Sequence, residues 1–76
     1  MPYVISKGGT FGVTERLYAT EDGEKMILIR WGPLGWLTPV RDRDCQVLKS
    51  SYEIEAAAEA REWLAKVERE EGKHGT

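Results

Sequence analysis

The chain has 76 residues, of which 41% are hydrophobic and 32% charged, and its formal net charge is −2 at pH 7. This length supports one hydrophobic core, and this composition excludes a disordered chain and an apolar membrane span. The net negative charge argues against a protein that binds nucleic acid through electrostatics alone, since such proteins carry an excess of basic residues.

Cysteine content and the first residues bear on the compartment. Cys45 is the single cysteine, so no disulfide can form within the chain. The sequence has no basic start followed by an apolar run, which is the pattern of a secretory signal. A cytoplasmic protein is therefore expected, because that compartment keeps thiols reduced.

The first part of the chain predicts a small antiparallel sheet. Short alternating or apolar runs, separated by Gly-containing turns, occur at about residues 2–6, 13–20, 25–31 and 36–39. The run at 13–20 has mixed faces, which predicts a strand toward an edge. Residues 26–29 are apolar at every position, which predicts the central and most buried strand. Pro39 predicts an edge position for its strand, and residues 45–48 allow a last short strand or an extended lead into a helix.

A long amphipathic helix is predicted at about residues 51–71, where Gly and Pro are absent and apolar residues recur at helical spacing. Ser50 with Glu53 fits a capping box at its start, with Ser51 as the alternative cap. Leu64 belongs to a mostly alanine stripe on one side of this helix. Small side chains there would let the helix approach the sheet closely.

These elements predict an α+β fold, with an antiparallel sheet of three to five short strands followed by one long C-terminal helix packed across it. Residues 1–72 are expected to form a single domain, and residues 73–76 a flexible tail.

Candidate chemistry is sparse in this sequence. His74 lies in the predicted tail without a second imidazole or a cysteine pair, and Cys45 has no neighbouring base. The glycine-rich run at 7–12 matches no phosphate-loop spacing, and residues 41–44 alternate Arg with Asp as a salt-bridged turn would. We therefore expect no catalytic residue, no metal ligand, no cofactor and no enzymatic activity.

Tryptophan and arginine cluster around one predicted reversal of the chain. Arg30 and Trp31 precede the Gly-Pro-Leu-Gly turn, Trp36 follows it, and Arg41 and Arg43 come soon after. Trp and Arg are enriched at binding hot spots, because each buries a large area while keeping a polar group available. In so small a protein tryptophans are more often core residues. If one is exposed, this region is the best candidate partner surface.

The predicted helix is acidic on its outer side and offers a second candidate surface. Glu55, Glu59 and Glu62 lie away from the alanine stripe. A solvated face that keeps the protein soluble is the simpler explanation for these charges. Complementary charge would otherwise speed association with a basic partner.

The order of elements resembles a known group of small proteins. Tyr3-Val4-Ile5 opens the chain, Gly-containing hairpins and a strand with Trp36 follow, Asp44-Cys45 leads to Val47-Leu48, and Ser50 or Ser51 precedes Glu55-Ala56-Ala57. This layout is similar to that of many bacteriophage and prophage proteins in which β-hairpins precede one helix. Anti-CRISPR proteins and other inhibitors of bacterial defence include chains of this kind.

The resemblance implies a non-catalytic protein-interaction module, specifically a stoichiometric inhibitor that occludes a site on a bacterial defence complex without turnover. Its partner would be another protein or a ribonucleoprotein complex, with no membrane involved. The residues leave two alternatives open. One is a small nucleic-acid-binding module that uses Trp31, Trp36 and the neighbouring arginines. The other is self-association through an edge strand or the alanine-rich helix, so that the protein is a monomer or a weak homodimer.

Overall fold

The computed structural model describes residues 2–72, which form a five-stranded antiparallel sheet followed by one C-terminal helix. This arrangement confirms the predicted α+β fold. The elements are β1 (Tyr3–Ser6), β2 (Phe11–Ala19), β3 (Lys25–Trp31), β4 (Trp36–Arg41), a 3-10 helix at Asp42–Asp44, β5 (Cys45–Val47) and α1 (Glu53–Gly72).

The strands lie side by side in the order β4-β3-β2-β1-β5. The prediction that the second strand lies toward an edge is wrong, because β2 is the middle strand. Its mixed pattern has another cause. A bulge interrupts the pairing of β2 with β3 between Thr14 and Arg16, and the pairing of β2 with β1 ends at Val13. The second half of β2 therefore has a strand on one side only and stays largely exposed. The strand with Pro39 is an edge strand, as predicted.

The sheet is strongly curled. Its two outer strands, β4 and β5, are joined only by the three residues Asp42–Asp44. In a flat five-stranded sheet these strands would lie about 19 Å apart, at about 4.8 Å between neighbours. The chain from Arg41 to Cys45 reaches at most about 14 Å, at roughly 3.5 Å per residue. Curling brings the two edges together and encloses one face of the sheet.

The concave face holds the first of two small cores. Val4, Ile27 and Ile29 are at most 2% exposed and pack with Val40 of β4 and Cys45 of β5. Met26 and Leu28, whose side chains lie on the opposite face of β3, are half-buried. The prediction that residues 26–29 form the central and most buried strand is wrong. β3 is the second strand from an edge, and only Ile27 and Ile29 of this run are buried, whereas residues 4–6 of β1 are buried at every position.

A glycine permits the close approach of β2 and β3. A Cβ atom at Gly12 would overlap the carbonyl oxygen of Arg30 and lie 2.9 Å from the Cβ of Trp31. Any side chain at this position would therefore push the start of β2 away from the end of β3. Gly12 is buried and lies directly across from Val4 of β1.

The second core lies between α1 and the outer face of the sheet. Ala56 and Ala60 pack on Ile5 and Leu48, with Tyr3, Phe11, Trp63 and Leu64 as half-buried neighbours. Alanine at the contact lets the helix approach closely, as the sequence indicated. The helix contacts the sheet at β1. Leu28 and Leu37, on the outer face of β3 and β4, belong to neither core.

The start of α1 differs from the predicted capping box. The helix begins at Glu53, and Ser50 lies outside it. The Ser50 Oγ accepts a hydrogen bond from the Tyr52 amide at 3.1 Å and donates one to the Glu55 carboxylate at 2.9 Å. The carboxylate that pairs with the Ser50 hydroxyl is therefore that of Glu55 and not that of Glu53.

Two further expectations concern the chain ends and membranes. The predicted flexible tail at 73–76, with His74, lies outside the described residues. Within residues 2–72, no helix is both long enough and apolar enough to cross a membrane.

Candidate functional site

The β3–β4 hairpin presents large apolar side chains at its end. Trp31 and Trp36 form its last strand pair, and the turn between them reverses through Gly32 and Gly35, both of which have positive φ. The exposed fractions are 37% for Trp31, 78% for Leu34, 56% for Trp36 and 52% for Leu37. We call these four residues the hairpin tip.

The two tryptophans at the hairpin tip are held in place although they are exposed. Their ring centroids lie 5.6 Å apart with the planes tilted by 50°. The Trp31 Nε1–H donates a hydrogen bond of 2.7 Å to the Thr38 hydroxyl. The expectation that tryptophans are core residues is wrong for both, because the concave core is already filled by Val4, Ile27 and Ile29.

Only one of the three predicted site arginines lies beside the hairpin tip. Arg30 precedes Trp31 and pairs with Glu15 at 2.5 Å. Arg41 pairs with Met26 in the sheet and so lies at the opposite end of β4 from Trp36, with Arg43 beyond it. The predicted Trp and Arg cluster is therefore divided between two ends of the hairpin.

Arg41 and Arg43 have a common ionic partner. Their guanidinium groups lie 3.9 and 3.7 Å from the Glu24 carboxylate, which is contributed by the turn between β2 and β3. The sequence favoured pairing within the Arg-Asp repeat of residues 41–44. The curled sheet instead brings this repeat to a distant glutamate.

Two of the three predicted helix acids stabilise the approach to α1. The Glu59 carboxylate accepts hydrogen bonds from the backbone amides of Lys49 at 3.0 Å and Ser50 at 2.9 Å, and Glu55 accepts from the Ser50 hydroxyl. Glu62 is exposed, and among the described residues it makes no ion pair or hydrogen bond. The acidic face is thus partly a structural feature.

Sequence reasoning singled out Trp31 and Trp36 but missed four exposed apolar residues near them, Leu34, Leu37, Tyr52 and Ile54. Within the described part of the chain, eight large apolar side chains are exposed, and six of them lie on the β3–β4 hairpin or next to the start of α1: Trp31, Leu34, Trp36, Leu37, Tyr52 and Ile54. Glu53 lies between Tyr52 and Ile54 in the sequence, and it lines one cleft together with Gly32 of the hairpin. The exposed apolar residues are therefore concentrated on two elements that meet. The sequence feature that could have indicated this exposed surface is Leu34, an apolar residue inside a Gly-Pro-Leu-Gly turn.

Reactive groups are few in the described part of the chain. No group of three or more His, Cys, Asp or Glu residues is arranged to hold a metal ion there. Burial, and secondarily the charges of Asp42 and Asp44, raises the pKa of the Cys45 thiol to about 11. Its Sγ–H donates to the Arg41 carbonyl oxygen at 3.3 Å. This thiol is a poor nucleophile at neutral pH.

No protein-family model, no curated protein and no solved structure matches this chain.

Proposed function

We propose that this chain is a non-catalytic protein-interaction module that binds its partner through the hairpin tip. The observation that carries the proposal is the exposure of Trp31, Leu34, Trp36 and Leu37 on one hairpin. Exposed apolar side chains that occur singly are ordinary, whereas these four residues share the end of one hairpin and the Trp31 and Trp36 rings lie 5.6 Å apart. Such a concentration of exposed apolar surface marks an interaction site.

The hairpin tip has the energetic properties of a binding anchor. Fully burying a large apolar side chain contributes about 1.5–3 kcal/mol, so an exposed Leu34 offers much of that free energy to a partner. Trp31 is held by its hydrogen bond to Thr38 and by contact with Trp36. Little side-chain entropy is then lost on binding, which favours affinity.

The charges near the hairpin favour a protein partner over nucleic acid. Glu15 pairs with Arg30, and Glu24 pairs with Arg41 and Arg43. Each cluster therefore has little excess positive charge with which to hold a phosphate backbone. The tryptophan rings remain able to stack on bases, so binding to single-stranded nucleic acid is the outcome to test against.

The kind of partner follows from the resemblance of the sequence. Another protein or a ribonucleoprotein complex is proposed, with the module acting by occupying a surface and not by turnover. The narrower proposal, inhibition of a bacterial defence complex, is supported by the layout of the sequence alone.

Affinity capture with matched variants tests the protein-binding proposal. The wild-type chain, a Leu34→Ser/Trp36→Ser double variant and a Leu17→Ser variant are each used to capture proteins from a bacterial lysate. Leu17 is 68% exposed and lies on β2, away from the hairpin tip. The proposal predicts proteins that bind the wild type and Leu17→Ser but are lost with the double variant. Equal recovery by all three chains would contradict it.

Titration with fluorescent single-stranded DNA and RNA decides the nucleic-acid alternative. The proposal predicts little binding at physiological salt. Tight binding that weakens steeply with salt and is lost on Trp36→Ser would replace the protein-binding proposal with the alternative.

A further inference from the structure

We propose that the cleft between the start of α1 and the β3–β4 hairpin binds a lysine or arginine side chain of the protein partner. This inference rests on the proposed function, because Trp31 of the hairpin tip lines the cleft. It adds a chemical class to the partner, namely a basic segment that also carries apolar residues.

The cleft has the size of a site for one side chain. Its volume is about 220 Å³, and Tyr3, Phe11, Arg30 and Glu53 are among the residues that line it. Four elements contribute to it besides the hairpin turn: β1 and β2 supply the rings, β3 supplies Arg30, and α1 supplies Glu53. It is therefore formed by the tertiary fold and not by one local segment.

Aromatic side chains on the outer face of the sheet line one part of the cleft. The Tyr3 and Phe11 rings stack with centroids 5.4 Å apart and planes 4° from parallel. Both pack against the core beneath α1, which fixes their position. An ammonium or guanidinium group within about 6 Å of an aromatic face is attracted by the negative potential of that face.

The charges of the cleft favour a cation. Arg30 is already paired with Glu15 at 2.5 Å, so these two groups largely cancel. Glu53 contributes a further carboxylate from the first turn of α1. The helix that carries it has seven glutamates and three basic residues, a formal net charge of −4. A basic segment that follows this helix would meet complementary charge along its length.

Exposed apolar residues next to Glu53 are the reason why the proposed partner segment carries apolar residues besides its basic one. Tyr52 is 72% exposed and Ile54 is 85% exposed, and each neighbours Glu53 in the sequence. With Leu34 in the hairpin turn and Leu37 on the outer face of β4, they place apolar surface on both elements that border the cleft. A partner with a basic residue between apolar residues would fill the cleft and cover both sides.

The test is selection of binding peptides from a random dodecapeptide display library, using the folded wild-type chain as bait. Selected peptides are synthesised, and their affinities are measured for the wild type and for three single variants. Glu53→Gln removes the cleft carboxylate, Glu53→Lys reverses its charge, and Glu70→Gln removes an exposed charge near the far end of the same helix. Circular dichroism confirms that each variant is folded.

The proposal predicts an excess of Lys or Arg flanked by apolar residues in the selected peptides. We expect affinity to fall roughly three- to fivefold in Glu53→Gln, as for a partly exposed ion pair, and further in Glu53→Lys. Glu70→Gln should leave it unchanged. Peptides without this excess, or with equal affinity for wild type and Glu53→Gln, would overturn the cation site.

The same peptides separate this inference from the proposed function. Loss of binding in Leu34→Ser/Trp36→Ser together with indifference to Glu53 would leave the hairpin proposal standing and reject the cation site. Failure to select any peptide would count against both. A dimer by light scattering that Glu53→Lys dissociates would assign the cleft to a second copy of the chain and overturn the basic-segment proposal.

Discussion

The concave core and the hairpin tip differ sharply although one strand supplies both. Ile27, Ile29 and Trp31 are alternate residues of β3 and so lie on the same face, with exposed fractions of 2%, 0% and 37%. Branched aliphatic residues fill the enclosed part of the face, and the aromatic residue lies where the face opens. The difference teaches that the folding core and the surface proposed for binding are adjacent on one strand, so substitutions can separate their effects.

The largest effect is expected from emptying the concave core. Ile29→Ala should lower the free energy of unfolding by about 2–5 kcal/mol, because the fully buried side chain leaves a cavity that the curled sheet cannot close. Urea denaturation measures this loss. Leu37→Ala in the neighbouring strand is the control, since its side chain is 52% exposed and the change should cost far less. Equal losses would show that the tip and the core are one structural unit.

The rate at which Cys45 is alkylated tests whether the concave face of the sheet is enclosed. Because the pKa of its thiol is raised to about 11, the thiolate fraction at pH 9 is far below that of an ordinary cysteine. Alkylation by iodoacetamide at pH 9 should be roughly tenfold or more slower in the folded chain than in urea-unfolded chain. The folded-state rate should keep rising with pH beyond 9. A plateau near pH 9, with equal rates in both states, would contradict burial of this thiol.

A smaller effect is expected at the approach to α1. Glu59→Gln keeps one acceptor oxygen but loses the charge-assisted bonds to the amides of Lys49 and Ser50, so it should cost about 1–2 kcal/mol of stability. Glu62→Gln on the same helix should stay within about 0.5 kcal/mol. Urea denaturation of the two variants gives the comparison. A larger loss for Glu62→Gln would mean that the acidic face has another structural role.

Local sequence patterns were enough for the four longer strands and the helix, because periodicity and turn residues act over short distances. They did not predict the 3-10 helix at Asp42–Asp44 and left the short strand β5 undecided. The apolar run at 26–29 revealed β3, and the uninterrupted helical spacing revealed α1. Strand order was not accessible in the same way. Nothing near residues 13–20 indicates that β1 and β3 both pair with that strand, or that a bulge leaves its second half exposed.

The candidate site was only partly accessible from the sequence. Trp31 and Ile29 have the same parity, so alternation alone cannot tell that one is exposed and the other buried. The pairing of Arg41 and Arg43 with Glu24 depends on the curl of the sheet, which joins residues distant in the chain. Glu59 could not be recognised as an acceptor for backbone amides, since that role requires the path of the chain before α1.

The separation of the folding core from the proposed binding surface is tested most directly by the stability of the Leu34→Ser/Trp36→Ser double variant. Its free energy of unfolding in urea should fall by at most about 1 kcal/mol, the contribution of one exposed aromatic pair. A loss as large as that of Ile29→Ala would show that the hairpin tip belongs to the core and is not a surface kept free for a partner.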